Sequence, residues 1–302
     1  TIGNGSSAQF VGVGVAHVDA EAAGTFRAYI DTDVRDCAGV TLSSVTMTPA
    51  DVQVNVFYYA VARASVVSPK GGVTLQGSAF TAEVNIAHSN VTTQAIAAIL
   101  GSGSIGTASA RADDITLTAQ GYTLALSSVA ASDISFSGAK IAANQLTAEL
   151  NSLQQAYLQD ATVFADTLTI SSVLNDETYY IDTDSLAMTK TSGANTRYGG
   201  AYAIHGGNGG SFSLVSAAVN AATANSNAKG YAYTDSAETD LTGALTVSST
   251  GLSKALAQTA SGVTFSVVSI GVTVMTATAS GEFKAYVRSG KGNRTAAKNF
   301  VI

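Results

Sequence analysis

Two identical pentapeptides, Tyr-Ile-Asp-Thr-Asp, stand at residues 29–33 and 180–184 and concentrate the oxygen ligands of the chain. Asp31, Asp33 and Asp36 around the first copy, and Asp182 and Asp184 in the second, have the alternating-acid spacing that hard cations such as Ca2+ accept. An EF-hand loop also needs a central glycine and a bidentate acid at its twelfth position, and neither copy supplies them. After Tyr157, Tyr231 and Tyr286 the matching slots read Leu-Gln-Asp-Ala-Thr, Ala-Tyr-Thr-Asp-Ser and Val-Arg-Ser-Gly-Lys. The acids are therefore not a constant of the slot. A turn that tolerates aspartate is the expected reading, no cofactor is expected, and Ca2+ is the alternative.

Other groupings are weaker chemistry. Gly-Ser-Gly-Ser-Ile-Gly at 101–106 satisfies G-x-G-x-x-G, but a dinucleotide site needs a helix opening at the third glycine, and the following Asp-Asp-Ile-Thr-Leu-Thr alternates like a strand. His-Gly-Gly-Asn-Gly-Gly-Ser at 205–211 lacks the aspartate and the tandem copies of a Ca2+-binding glycine repeat and reads as a loop. His17, His88 and His205 are far apart, with no nucleophile elbow or H-E-x-x-H pattern near them. Arg111 with Asp113 and Asp114 is the one dense acid–base knot, and strand parity puts Arg111 and Asp113 on one face. No catalytic residue is expected. A polysaccharide-cleaving site at that knot is an alternative, tested by Asp113→Ala.

Tyrosine is the more telling residue. Tyr29, Tyr157, Tyr231 and Tyr286 each follow a small residue and precede a polar turn and a short β-type run, Val40–Ser44, Leu168–Ser172, Leu245–Ser249 and Phe300–Ile302. Their regular spacing marks them as structural repeat anchors, with a degenerate fifth anchor expected in the Ala-His-Ser-Asn-Val-Thr-Thr-Gln-Ala-Ile-Ala-Ala-Ile-Leu stretch at 87–100. Phe10, Phe212 and Val267 precede Tyr29, Tyr231 and Tyr286 by one common interval. In Tyr58-Tyr59 and Tyr179-Tyr180 an extended chain turns one ring of each pair outward, so these four are candidate contacts for sugars or partner proteins.

Elements that could carry such anchors follow from composition. Charged residues are 12% of the 302, about half of the roughly 25% of ordinary domains, and no run approaches the roughly 20 apolar residues of a membrane helix. Apolar residues are instead interleaved with Ser, Thr, Asn and Gly, as in Val-Gly-Val-Gly-Val-Ala-His-Val from residue 11, which is the period of two of half-buried strands. Twenty-nine glycines, two prolines and no tryptophan suit tight turns around a narrow interior. A single cysteine, Cys37, precludes an internal disulfide. Net charge −6 argues against nucleic acid as a partner. Lys284, Arg288, Lys291, Arg294 and Lys298 form a local basic end, read as a solvated turn.

One segment resists the strand pattern. Leu146, Leu150, Leu153 and Tyr157 fall at helical spacing, so a short helical insertion near 142–158 competes with the strand that the repeat alignment requires. Strand–turn–strand units that cannot bury their apolar faces alone must stack, which gives an all-β solenoid. Coils of about 20 to 25 residues rising about 4.8 Å each would make a rod of roughly 60 Å. The repeat-like units run at about 10–73, 74–135, 136–200, 201–262 and 263–302 of a single segment, and the termini read as a section of a longer protein.

The phrases Phe-Arg-Ala-Tyr-Ile-Asp-Thr-Asp, Gln-Gln-Ala-Tyr-Leu-Gln-Asp-Ala and Lys-Gly-Tyr-Ala-Tyr-Thr-Asp-Ser, each with its Val/Leu-Thr-hydrophobic-Ser-Ser run, resemble the β-strand repeats in passenger regions of large bacterial surface adhesins of the autotransporter and filamentous haemagglutinin-like kind. That resemblance implies a right-handed parallel β-helix, secretion to the bacterial cell surface, and a non-enzymatic stalk or adhesive role. It also implies host or bacterial surface glycans or proteins as partners. Self-association end to end into a fibre or sheath is the alternative.

Overall fold

A computed structural model describes residues 2–3, 11–35, 41–67, 76–131, 134–207, 210–259, 263–290 and 294–302. Among these residues every regular element is a strand. Five long strands, Val11–Asp31, Gln76–Leu100, Ile134–Gln159, Gly210–Asp235 and Val263–Arg288, lie side by side in that order as one all-parallel sheet. Between them the chain returns through a second sheet, in which Val52–Val67, Ala112–Ala131, Thr162–Leu174 and Ala244–Gly251 are successive parallel neighbours. Each passage through both sheets advances the chain by one strand.

The register fixes the size of a passage. Val11 pairs with Phe80, Phe80 with Ala139, Ala139 with Val215 and Val215 with Val268. Every one of these steps is more than twice the coil of about 20 to 25 residues that the sequence suggests. A strand of 26 residues spans about 85 Å, whereas five strands stack to only about 20 Å. The narrow rod of the sequence reading is thus a broad slab, because every passage crosses the first sheet in one strand of 21 to 26 residues.

Alternation drives both sheets together. In Thr162–Leu174 the side chains of Val163, Ala165, Leu168, Ile170, Ser172 and Leu174 point inward and are buried. Val163, Ala165, Leu168 and Ile170 meet Ile99 and Leu158 of the long-strand sheet in a core that also holds Val54, Leu117 and Val247. A second core, rich in alanine, lies farther along the strands around Ala87, Val91, Leu146, Leu150, Ala203 and Ala224. Between the two cores runs a buried polar belt. The hydroxyls of Tyr58 and Thr93 are 3.0 Å apart and those of Thr93 and Ser152 2.9 Å. Gln154, fully buried, satisfies its amide in the orientation that turns the nitrogen to the Ala119 and Val173 carbonyls, as donor, and the oxygen to Gly121 N–H, as acceptor.

At this belt the two faces interdigitate by size. Tyr58 stacks on Phe26 at 4.9 Å, and next to Tyr58 in the returning sheet is Gly121, where a Cβ would lie 2.2 Å from the Tyr58 ring and 2.3 Å from the Gln154 amide. A Cβ on Gly251 would likewise meet the Phe283 ring at 2.3 Å. Glycine here is a requirement of close approach.

The competing helix at 142–158 does not form. Ile134–Gln159 is one strand, hydrogen-bonded to Gln76–Leu100 on one side and Gly210–Asp235 on the other. Leu146 and Leu150 are separated by an even number and so satisfy a strand as well as a helix: both point inward with Ala148, Ser152, Gln154, Ala156 and Leu158, while Leu153 and Tyr157 face outward. Two ladders of backbone bonds outweigh the intrinsic helical preference of the segment.

The anchors are also re-registered. The outward row is Tyr29, Ala98, Tyr157, Tyr233 and Tyr286, so Tyr233 stands in the place expected of Tyr231, and Ala98 is the degenerate anchor. Tyr157, Tyr233 and Tyr286 stack at 4.9 and 5.0 Å. Phe136, Phe212 and Phe265 form a second stack, with Phe265 in the place expected of Val267, while Phe10 lies outside the described residues. The Val40–Ser44 phrase is no member of the stack either: Thr41–Ser44 pairs antiparallel with Asp33–Arg35, and Val54 takes the row of Leu117, Ile170 and Val247.

Candidate aromatic surface beside the inserted sheet

Between Thr162–Leu174 and Gly200–Gly207 the chain leaves the returning sheet for a small antiparallel sheet, Met188–Thr189, Tyr180–Asp182 and Thr196–Arg197. It covers the outer face of the returning sheet, where Leu124, Leu126, Ile181 and Tyr202 form a third buried cluster. The excursion begins at Asn175, whose Oδ1 accepts from Thr123 N–H at 2.7 Å, with the Asn175 backbone at φ 54°. Tyr59 donates to the Leu186 carbonyl at 2.5 Å and Arg63 to the Thr183 carbonyl at 2.6 Å, fastening the far side. Burial and then the Asp182 carboxylate push the Tyr59 phenol up to about 12; burial does the same to Tyr202.

Both Tyr-Ile-Asp-Thr-Asp copies are hairpin starters. Asp31 Oδ1 accepts from Asp33 N–H at 3.0 Å, and Asp182 Oδ1 accepts from Asp184 N–H at 2.9 Å and Ser185 N–H at 2.8 Å. Those two backbone donors hold the Asp182 carboxyl below its ordinary range. Asp33 and Asp184 are engaged as well. Asp33 Oδ1 accepts from Ser102 N–H at 2.7 Å and Asp184 Oδ2 from Asn195 at 2.7 Å. The copies are not equivalent repeat positions, since Tyr29 aligns with Tyr157 and Tyr180 lies in the inserted sheet. Asp36 lies outside the described residues. Among the described residues no three His, Cys, Asp or Glu side chains gather in a way that could hold a metal ion.

Other singled-out groups resolve similarly. Gly101 and Gly103 pack against the first Asp-rich turn, where Gly103 N–H donates to buried Thr32 Oγ1 at 2.9 Å, and a short irregular stretch and the strand Ala112–Ala131 follow Gly106 where a dinucleotide site needs a helix. Arg111 turns away from Asp113 to Asp240 at 3.3 Å, and Asp114 accepts from Thr167 at 2.5 Å. His17 and His88 meet on the outer face of the long-strand sheet, on either side of Asp19 at 3.2 and 3.6 Å, while His205 is in the other sheet. Of the basic end, Lys284 pairs with Glu282 and Arg288 with Asp235, and Lys291 lies outside the described residues. An open hollow of about 590 Å3 beside Met47 and Pro49 has, among its described lining residues, Asp51 as its one carboxylate and no second acid or base.

The four tyrosine candidates separate. Tyr58 points inward at 4% exposure and cannot touch a ligand, and the inserted sheet occupies the Tyr59 hydroxyl. Tyr179 and Tyr180 remain at the surface with new neighbours. Tyr179 meets Tyr122 edge-on at 5.1 Å and Tyr122 lies 6.1 Å from Phe57; Tyr122 itself is buried and supports the two outer rings, of which Phe57 is 57% exposed. Lys190 stands 5.1 Å over the Tyr179 ring. The Tyr122 hydroxyl donates to Asp176 at 2.8 Å and accepts from Gln120 at 3.0 Å, and burial with that carboxylate raises its pKa. Tyr180 packs on Tyr198 at 4.5 Å, and Lys254 lies 3.7 Å over Tyr198. Aromatic faces edged by amide, carboxylate and ammonium groups suit sugar rings or a protein loop. Phe57, Tyr122 and Tyr198 escaped the sequence reading, which weighed tyrosine pairs and not rings that converge from separate strands. No protein-family model matches the chain, and no curated protein or solved structure matches it significantly.

Proposed function

We propose that the chain is a right-handed parallel β-helix acting as a non-enzymatic structural and adhesive stalk at the bacterial cell surface. The supporting observation is the one-strand advance of two facing parallel sheets at every passage, marked by the Tyr157–Tyr233–Tyr286 stack. Crossovers between parallel strands of one sheet are right-handed in about 98% of cases, which supports that hand. A scaffold of this kind is rigid and repetitive, and it carries ligand contacts on excursions from its faces.

In this reading the accessible Phe57 and Tyr179 rings, which the buried Tyr122 supports from beneath, are the adhesive contact and surface glycans or proteins are their partners. Phe57→Ala and Tyr179→Ala test it on a glycan array and on whole-cell binding. Loss of binding of about fivefold or more in each variant, with unchanged circular dichroism, is the expected result for rings that each contribute about 1 kcal/mol or more. Binding that persists in both variants would remove the adhesive assignment from this surface.

A further inference from the structure

The long-strand sheet has two open edges among the described residues, Val11–Asp31 at one side and Val263–Arg288 at the other. The second is the more exposed. From Val267 to Gly281 both faces are open, with Val267 at 79% and Ile270 at 65%, and residues 263–281 carry no charge and no proline. Natural edge strands are blunted by charge, proline or brevity, and none of these interrupts this one from Val263 to Gly281. Its unpaired backbone groups require hydrogen-bonding partners, which a lipid surface does not offer.

The other edge has the matching sequence. Set Tyr29 of a second copy beside Tyr286 and continue the parallel register: Val11 meets Val268, Val13 meets Ile270, Gly14 meets Gly271, Val15 meets Val272, and Phe26-Arg27-Ala28-Tyr29-Ile30 meets Phe283-Lys284-Ala285-Tyr286-Val287. Nine of the 21 rows are identical, against seven of 21 between Val215–Asp235 and Val268–Arg288, which are true neighbours, and three of 21 between Val11–Asp31 and its true neighbour. Parallel in-register strands gain by placing like side chains in ladders. The Tyr157–Tyr233–Tyr286 stack would gain Tyr29, which is 57% exposed in the single chain. Arg288, 3.4 Å from Asp235 on one side, would have Asp31 of the next copy on the other. Arg27 and Lys284 are the one like-charged row, and Lys284 is already paired with Glu282.

We infer that copies of this chain associate head to tail, the Val11–Asp31 edge of one adding in parallel register to the Val263–Arg288 edge of the next. This inference rests on the structural reading above and deepens it. The contact is heterologous and does not close on itself, so it propagates into a filament.

Cysteine cross-linking reads the register directly. In a Cys37→Ser background, Glu21→Cys with Thr278→Cys places thiols in one row, with Cα atoms about 4.8 Å apart, inside the range a disulfide bridges. Glu21→Cys with Val274→Cys shifts them by about 13 Å along the strand and cannot be bridged. Mild oxidation should give a ladder of covalent oligomers from the first variant and none from the second. If a double variant fails to fold, a mixture of the two folded single variants, Glu21→Cys and Thr278→Cys, should give covalent dimers only. Equal cross-linking in both registers, or a sole monomer in sedimentation velocity with native strand content, overturns the inference. The latter result leaves the stalk reading standing, whereas loss of the strand spectrum itself would sink both.

Discussion

Gly121 concentrates the residue-scale physics. Its missing side chain is the space occupied by Tyr58 and Gln154, both held on their own strands and unable to retreat. Gly121→Ala should therefore destabilise the protein by about 1 to 3 kcal/mol, the usual penalty of overpacking, seen as a lower midpoint in denaturant titration. A change below about 0.5 kcal/mol would mean that the belt is looser than its geometry. Tyr59 and Tyr202 give a pH dependence. Their folded-state pKa values of about 12 lie above the ordinary 10, so the neutral phenol is favoured in the fold. That contribution is complete below pH about 10 and is lost as pH rises toward 12. Ultraviolet titration should show phenols ionising late, together with release of the inserted sheet, and Tyr59→Phe should shift that release.

Among elements, the strand Ile134–Gln159 shows how context decides. Its even-numbered leucines fit either periodicity, and only the two flanking strands select extension. Leu150→Ala, at 1% exposure in the alanine-rich core, should cost about 2 to 5 kcal/mol, measurable by chemical denaturation. The same change at Leu153, on the outward face, should cost much less, and equal costs would contradict the strand parity. Legibility in the sequence followed the same division. The alternating runs and the tyrosine recurrence were readable because strand period and ladder spacing are local or repeated properties. Tyr231 and Tyr233 are indistinguishable in the sequence, because Lys-Gly-Tyr-Ala-Tyr holds two tyrosines on either side of one alanine and parity leaves both on one face. Only the partner strand distinguishes them.

For the whole molecule, shape is the decisive observable. Very long strands stacked only five deep make a slab, with a long dimension of about 85 Å set by strand length. Small-angle scattering at concentrations low enough to hold the chain monomeric should return that long dimension together with a flat cross-section. A thin cylinder of roughly 60 Å would restore the small-coil reading and refute the register described here. At higher concentration, growth should occur perpendicular to the strands, because the open hydrogen-bonding edges lie on that axis.

By itself the sequence determined that this is an all-β chain, rich in small and β-branched residues, in which a tyrosine-marked phrase recurs, because periodicity and composition are written residue by residue. Which rows coincide, how long each passage is, and which rings converge beside the inserted sheet were decided only by the tertiary structure. Those properties depend on hydrogen-bond register between strands as distant in the chain as Val11 from Phe80 or Ala139 from Val215, and no local pattern encodes that separation.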